Sequence, residues 1–316
     1  MTINGFFTLA FNNDTLLAMW GALLLHWLLP IPPELHPIQI WKKLGLLIAT
    51  RVNKASDSIK QRQLSGFLAW LLLYCSAFIF LFAAYQLVWY PSLFNMTLLW
   101  LAIEWQQPHQ LGKRITQGLA DNRIAYCRQL LSTQLNRDTN TLTQIGIGKA
   151  CAETLLLGYG RQVVAVLFWY TLAGGIGAIL YRLTLTLARC WSPSRIQYHN
   201  FGLSAVRLLA IADIIPLRLF ALLLATGKNT RHNFTALWRQ GEQWPLPGPG
   251  WLLTAVGSRL TLSLGGPVIY QKQRFERPKV GGPIAPAALH LAQLQQLLLR
   301  RLWLWGIFCS LWIIIA

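Results

Sequence analysis

Long apolar runs, separated by short basic segments, dominate the hydropathy pattern of this 316-residue chain. No charged residue occurs between Arg62 and Glu104, and residues 67–90 within that stretch are predominantly apolar. A helix needs about twenty such residues to cross a bilayer, because lipid offers its backbone no hydrogen-bond partners. The candidate spans are residues 15–30, 67–90, 162–181, 208–225 and 302–316. The pattern therefore predicts an all-α, polytopic integral membrane protein that forms a single membrane domain over residues 1–316.

The segments between these runs are amphipathic or irregular, and they comprise residues 38–63, 106–161 and 226–301. In residues 111–135, apolar side chains recur at helical spacing on one face and charged side chains occupy the other. Helices of this kind, including the basic segment 38–63, are expected to lie on the membrane or to pack over the bundle. Residues 244–251 and 265–286 are rich in Pro and Gly, which predicts loops rather than strands.

Composition supports the membrane assignment and excludes a nucleic-acid-binding protein. Charged residues make up 12% of the chain, against roughly 25% in an ordinary soluble domain. The net charge of +18 comes from Lys and Arg residues in the segments between apolar runs, where basic residues orient spans and contact anionic lipid headgroups. We therefore expect membrane lipids as partners and no nucleic acid. The five cysteines lack metal-ligand spacing, so no metal site is predicted.

The distribution of basic residues also predicts an orientation. No Lys or Arg precedes Lys42, whereas residues 30–66 carry six. Cytoplasmic loops carry the excess of basic residues, so the N-terminus is expected outside the cell and the 30–66 segment inside, in a bacterial cytoplasmic (inner) membrane. The missing basic n-region also argues against a cleavable signal peptide. The later loops are all basic, so the rule does not orient residues 106–162.

Residues 143–150 resemble a phosphate-binding loop only in part. A Walker A motif requires Gly where Thr143 stands and Ser or Thr where Ala150 stands. Any use of a nucleotide must therefore depend on other groups.

Three polar groups have both a structural and a functional interpretation. His36 before Pro37 is typical of a turn with an exposed imidazole. Residues 136–139 predict either a helix cap, through Asp138 or Thr139, or a functional cluster. Asp213 and Arg218 lie within a predicted span around Pro216. Ionisable residues at membrane depth indicate a functional site or a structural ion pair, and we expect these two to be coupled.

The segment 264–281 is the strongest candidate for a binding site. Gly265 and Gly266 permit a tight turn whose amides are expected to be free to approach a ligand. Side chains that would then hold an anion follow closely: Tyr270, Lys272, Arg274, Arg277 and Lys279. The alternative is a basic loop that binds lipid headgroups.

In this order along the chain, these landmarks resemble the CobD/CbiB family of cobalamin-biosynthesis membrane proteins. The motifs that carry the resemblance are His36-Pro37, Arg137-Asp138-Thr139, Glu153-Thr154, Arg207, Pro216-Leu-Arg218-Leu219, Leu264-Gly-Gly-Pro-Val-Ile-Tyr270 and Arg277-Pro-Lys-Val-Gly281. The resemblance implies an adenosylcobinamide-phosphate synthase. Such an enzyme joins aminopropanol or its phosphate to a carboxylate of cobyric acid, a corrinoid, as an amide. ATP and Mg are expected only if this activity is retained.

The resemblance also assigns candidate roles. The catalytic candidates, as acid, base or metal-holding groups, are Asp138, Glu153 and Asp213. The candidates for holding phosphate or corrin carboxylates are Arg137, Arg207, Arg218, Gly265, Gly266, Tyr270, Arg277 and Lys279.

Several positions depart from the family pattern, some of them toward apolar residues. Where the family has a Glu-Asn pair followed by an Asp, this chain has Leu157, Gly158 and Arg161, and where it has an Asn, this chain has Asp213. Amide synthesis needs polar groups that deprotonate the amine and stabilise charge. A second hypothesis is therefore a non-catalytic paralogue that resembles the AmpE proteins linked to β-lactamase regulation. A transporter is a third hypothesis, which the lack of internal repeats disfavours.

The predicted orientation can be tested with a cysteine introduced as Ser58→Cys. Because the 30–66 segment is expected in the cytoplasm, membrane-impermeant thiol reagents should not label this residue in intact cells. Ready labelling there would reverse the assigned orientation.

Overall fold

The computed structural model describes residues 13–315, most of which are helical. Twelve α-helices occur within these residues: α1 Asp14–Leu28, α2 Ile38–Val52, α3 Ile59–Leu87, α4 Pro91–Ala102, α5 Gln106–Ala120, α6 Ile124–Ser132, α7 Gln144–Tyr159, α8 Ala165–Cys190, α9 Leu203–Ala225, α10 Thr230–Gln240, α11 Pro247–Arg259 and α12 Ala288–Ile315. A π-helical turn, Gly160–Val164, joins α7 to α8. Short 3₁₀ turns occupy Ile196–Tyr198 and Gly241–Gln243.

The prediction of an all-α, polytopic membrane protein is confirmed. Among the described residues, four helical segments are long and apolar enough to cross a membrane: Ile59–Leu87, Gln144–Cys190, Leu203–Ala225 and Ala288–Ile315. They contain four of the five predicted spans in whole or in large part. The fifth, near residues 15–30, corresponds to α1, whose 15 residues extend only about 22 Å at 1.5 Å per residue.

Two amphipathic segments are divided differently from the prediction. The face expected over residues 111–135 is shared by α5 and α6, because Asn122 adopts a left-handed conformation (φ 56°) and ends the first helix. The segment 38–63 contains α2 and then the start of the spanning helix α3. Ser58 caps α3 by accepting a hydrogen bond from the Gln61 amide.

The prediction that residues 244–251 and 265–286 are loops rather than strands is wrong in part. Pro247 begins helix α11, at a position where a missing N–H costs nothing because the first helical amides have no partner within the helix. Four three-residue strands lie within and just before the second segment: β1 Ser263–Gly265, β2 Val268–Tyr270, β3 Gln273–Phe275 and β4 Lys279–Gly281. They form two antiparallel pairs, β1 with β4 and β2 with β3.

The described chain divides into two compact units. The first contains residues 13–104, 165–209 and 304–315, and the second contains Trp105–Val164 and Ala210–Trp303. The single membrane domain expected over residues 1–316 stays a prediction.

In the first unit, α4 packs closely against an interrupted part of α8. Ala173 and Gly174 have non-helical backbone angles, with φ +61° at Gly174. The Asn95 side chain of α4 accepts a hydrogen bond from the Gly175 amide at 2.9 Å and so restarts the helix after the break. A Cβ atom at Gly175 would approach the Asn95 backbone to 2.9 Å, so this contact requires glycine.

His36 is buried rather than exposed, which corrects the expectation of a turn with an exposed imidazole. Its residue exposure is 8%, and its Nδ1 accepts a hydrogen bond from the Ile38 amide at 3.1 Å. Burial, followed by the positive charge of Arg182, lowers the pKa of His36 to about 4. The imidazole is therefore held neutral between α1 and α2.

This burial predicts that His36 contributes to the acid sensitivity of the fold. The unfolded chain binds a proton at this residue below about pH 6.5 and the folded protein only below about pH 4, so folding stability should fall as the pH decreases between these values. Linkage gives a loss of about 2 kcal/mol from pH 7 to pH 5. Thermal unfolding of the detergent-solubilised protein at both pH values should show this loss. His36→Gln should remove that contribution and the exposed-site control His199→Gln should not; an unchanged pH dependence in His36→Gln would contradict it.

Candidate functional site

A buried carboxylate, Glu153, lies at the centre of the polar cluster in the second unit. It projects from the middle of α7, where its exposure is only 7%. Its Oε1 accepts a hydrogen bond from the Gly265 amide at 3.0 Å. Arg277 donates through Nη2 to both carboxylate oxygens, at 3.3 and 3.2 Å. The charge on Glu153 is thus compensated by one guanidinium and one backbone amide.

A second arginine shares the same carboxylate. Arg137 Nη1 lies 3.9 Å from Glu153 Oε2, and the Arg137 side chain is only 8% exposed. Burial lowers the pKa of Arg137; the carboxylate of Glu153 opposes this effect and the charge of Arg277 adds to it. Within residues 13–315, Arg137 Nε and Nη2 are buried and donate to no acceptor. The charge of Arg137 is therefore compensated only by one long contact, to a carboxylate that already binds Arg277 and the Gly265 amide.

Further basic groups surround this pair. Arg277 also donates through Nε to the Gly266 carbonyl at 3.1 Å and lies over the Trp244 ring, 5.1 Å from its centre. Lys149 Nζ donates to Ser263 Oγ at 3.1 Å. Lys279 is exposed on β4 and near enough to Lys149 to repel it. The cluster therefore carries more positive than negative charge and suits an anionic ligand.

Gly265 and Gly266 do not present free amides, which corrects the expectation from the sequence. The Gly265 amide donates to Glu153, and the Gly266 amide donates to the Pro278 carbonyl at 3.2 Å. Both glycines have positive φ, +73° and +89°, a conformation that other residues adopt only with strain. At Gly265 a Cβ atom would also approach Pro278 O to 2.3 Å. Their assignment to substrate binding stays a prediction.

A cavity of about 170 Å³ opens beside this cluster. Its lining residues come from two chain segments: Arg137, Asp138, Thr141, Leu142, Thr143 and Gly146 from the first, and Pro267, Val268 and Ile269 from the second. The expected cap at Asp138 or Thr139 is wrong, since the cap of α7 is Thr143, whose Oγ1 accepts from the Gly146 amide at 3.2 Å. Asp138 Oδ1 instead accepts from the Asn140 amide at 3.0 Å.

The predicted coupling of Asp213 with Arg218 is also wrong. Asp213 is fully buried and pairs with Arg161, whose Nε lies 2.8 Å from Asp213 Oδ2. Arg218 instead lies 3.6 Å from the Glu242 carboxylate and over the Trp251 ring, 4.7 Å from its centre. Residues five apart on a helix face different directions, which explains why each finds its own partner.

The structure thus assembles only some of the predicted site residues. Arg137, Glu153, Gly265, Gly266 and Arg277 form one cluster. The other predicted residues lie elsewhere: Asp138 is on the cavity wall, Asp213 and Arg218 belong to separate pairs, Tyr270 packs on the Phe275 ring, Lys279 is exposed on β4, and Arg207 is exposed in the other unit.

Sequence reasoning missed Lys149 and Trp244 as members of the cluster. The only signal for Lys149 was its position in the incomplete phosphate-loop pattern.

Comparisons with known proteins bear on this site. The family model described as CobD/Cbib protein matches residues 19–298, which include the whole cluster. The chain belongs to this family. Among its relatives, a protein of Chromobacterium violaceum is 30% identical over 291 residues, covering 90% of this chain and 92% of the relative. A protein of Stutzerimonas stutzeri is 28% identical over 289 residues, covering 92% and 95%. Both are named cobalamin biosynthesis protein CobD. No solved structure matches this CobD/Cbib chain.

The pair of Arg161 and Asp213 leads to a stability prediction. Asp213→Asn would leave the partly buried Arg161 without its carboxylate and should cost about 3–5 kcal/mol. The double variant Arg161→Gln/Asp213→Asn should cost less, because it leaves no uncompensated charge. Equilibrium unfolding in detergent measures both values.

The matched control is the exposed pair Arg274 and Glu276, at 67% and 70% side-chain exposure. Neutralising either or both of these residues should change stability by less than about 1 kcal/mol. A single Asp213 variant as stable as the double variant would show that the ion pair is not coupled as described.

Proposed function

We propose that this chain acts in cobalamin biosynthesis as an amide-forming enzyme of the bacterial inner membrane. It joins aminopropanol or its phosphate to a carboxylate of cobyric acid. The observation that carries the proposal is the buried cluster of Arg137, Glu153 and Arg277 beside a cavity, inside the region that matches the family model. The names of the relatives support the pathway, and the four candidate spans support the location.

The arrangement suggests different tasks for the two acidic residues of this region. Glu153 already accepts from Gly265 and Arg277, so its carboxylate positions the basic groups rather than accepting a proton. Asp138 lines the cavity. An amine must lose a proton to attack a carboxyl carbon, and a nearby carboxylate serves as the acceptor. We therefore assign proton acceptance to Asp138 and anion binding to Arg137 and Arg277.

ATP and Mg²⁺ would be needed only if this chain retains the activity of the family. The excess of basic side chains suits the phosphate oxygens of a nucleotide. The nucleotide would activate the carboxylate of cobyric acid for attack by the amine. Among residues 13–315, no group of three or more His, Cys, Asp or Glu side chains is placed to hold a metal ion. Magnesium is held mainly by substrate phosphates and keeps several waters, so it would enter this cavity with the nucleotide, which leaves Asp138 as the proton acceptor.

The pair of Arg161 and Asp213 weakens one argument for the non-catalytic, AmpE-like alternative. That hypothesis drew support from the reversed charge at Arg161 and the apolar residues Leu157 and Gly158. Since Arg161 is bound by Asp213 at 2.8 Å, its charge is compensated within the fold. The remaining apolar positions still distinguish this chain from the family pattern.

Complementation separates the two hypotheses. In a strain that lacks its own cobinamide-phosphate synthase, the intact chain should restore cobalamin-dependent growth. Glu153→Gln should abolish or strongly reduce growth, because it releases two arginines from their shared carboxylate. Glu276→Gln, an exposed substitution on the same segment, should grow like the intact chain.

The membrane abundance of each variant is measured by immunoblot, so that loss of activity is distinguished from loss of protein. Failure of the intact, membrane-inserted chain to restore growth would contradict the enzymatic proposal and favour the non-catalytic alternative.

A further inference from the structure

Two arginines from different helices bind the same helix end in the second unit. Arg259, the last residue of α11, donates through Nη1 to the Leu224 carbonyl at 2.9 Å and to the Thr226 carbonyl. Arg301 of α12 donates through Nη2 to the same Thr226 carbonyl at 2.6 Å. These carbonyls belong to the C-terminal end of α9, Leu203–Ala225. Two guanidinium groups therefore meet at one point, where α9 ends.

The positive charge at this helix end exceeds the negative charge that faces it. The C-terminal end of a helix carries roughly −0.5 of an elementary charge, whereas the two guanidinium groups carry one full positive charge each. Neither arginine forms an ion pair with an acidic residue within residues 13–315. Between positions 214 and 275 the sequence has one acidic residue, Glu242, which pairs with Arg218, and none follows Glu276. An anion from outside the described chain would restore the balance.

The bonds to the helix end leave part of each guanidinium available. Nε and Nη2 of Arg259, and Nε and Nη1 of Arg301, donate to no acceptor in the part of the chain that the structure describes. Both side chains are partly exposed, and the two like charges are close enough to repel each other. Guanidinium groups bind phosphate through parallel N–H bonds. A phosphate between the two would use these donors and relieve the repulsion.

This pair of arginines lies where two candidate spans reach their polar ends. The candidate span α9 ends at Ala225, and Lys228 and Arg231 follow within six residues. The candidate span α12 contains Arg301, and residues 302–316 after it carry no charge. Basic residues at the ends of spans lie at the level of the lipid headgroups. The phosphate of a membrane lipid is therefore available at this position.

Exposed apolar side chains continue from the same helix end. On α9, Ile215 and Leu219 are exposed, and the spacing of four and then seven residues to Thr226 places all three on one face. On α12, Leu299 and Trp303 are exposed and four residues apart. Since both helices are candidate spans, these side chains suit contact with acyl chains. A ligand with a phosphate at one end and hydrocarbon at the other matches this surface.

The surrounding charge also selects the kind of headgroup. A Cβ atom at Gly227 would come within 2.9 Å of Arg259 Nη2, so the backbone lies against this guanidinium, and the exposed Lys228 follows directly. Arg300, beside Arg301, is exposed as well. A choline or ethanolamine group would be repelled by these cations. We propose that Arg259 and Arg301 bind the phosphodiester of an anionic phospholipid, whose acyl chains lie along the exposed apolar side chains of α9.

Lipid retention by the purified full-length chain, measured by native mass spectrometry from detergent, tests this site. The probes are phosphatidylglycerol, phosphatidylcholine with the same acyl chains, and inorganic phosphate. Phosphatidylglycerol should bind at least tenfold more tightly than either of the others, because only this probe has both a net negative headgroup and hydrocarbon. Equal binding of the two lipids would overturn the charge selection. Inorganic phosphate that binds as tightly as phosphatidylglycerol would identify a site for a free anion and overturn the lipid proposal.

Two matched pairs of variants locate the headgroup. Arg301→Gln should weaken phosphatidylglycerol binding by at least fivefold, whereas Arg300→Gln, which removes the same charge from the neighbouring residue, should change it less than twofold. Lys228→Glu places a carboxylate beside the two arginines, where it competes with the phosphodiester, and should also weaken binding by at least fivefold. Lys272→Glu makes the same change at an exposed position between β2 and β3 and should change binding less than twofold.

The second pair keeps the test decisive if Arg301→Gln fails to fold, because Lys228 makes none of the bonds that hold the end of α9. The melting temperature of each variant in detergent establishes which of them are folded. Equal effects of Lys228→Glu and Lys272→Glu would show that the lipid responds only to the total charge of the protein, and would overturn the site.

Discussion

The architecture of the second unit depends on one interaction, the burial of the Glu153 carboxylate within helix α7. A buried charge must be paired and hydrogen-bonded to be tolerated, and the hydrogen-bond partners of Glu153 come from residues more than a hundred positions later, Gly265 and Arg277. The carboxylate thereby fastens strand β1 and the segment before β4 to the helix. The hydrogen bond to Glu153 requires the Gly265 amide to face α7, at a point where the backbone lies close to the Pro278 carbonyl. Gly265 meets both conditions in the left-handed conformation.

The same interaction divides the basic residues of the 264–281 segment into two classes. Arg277 is drawn inward by Glu153, whereas Lys272 and Arg274 remain exposed on or beside β3, where Arg274 pairs with Glu276. The two hypotheses drawn from the sequence, a specific anion site and a lipid-headgroup loop, therefore apply to different side chains. Arg137 and Arg277, whose side chains are 8% and 18% exposed, suit a defined ligand, and the exposed side chains on or beside β3 suit headgroups or water.

Sequence patterns predicted the helices and several members of the cluster, but not the partners of charged residues. Hydropathy fixes where a helix must cross lipid, because that requirement is local to about twenty residues. The partner of Asp213 was sought at Arg218, five positions away, and lies instead at Arg161, 52 positions earlier. Such pairing depends on the tertiary fold. The helix at Pro247 was missed for another reason: proline interrupts a helix interior but suits its first turn.

The Arg161–Asp213 pair also changes what the departures from the family pattern imply. Considered separately, Arg161 in place of an acidic residue and Asp213 in place of an amide suggest the loss of polar groups that the resemblance to the family implies. In the structure they form one ion pair, because the guanidinium of Arg161 and the carboxylate of Asp213 neutralise each other at 2.8 Å. Arg137 has no such close pairing, since its charge exceeds what Glu153 compensates. The fold neutralises one cation with its own carboxylate and leaves Arg137 short of partners beside a cavity, which supports the anion-binding role proposed for Arg137.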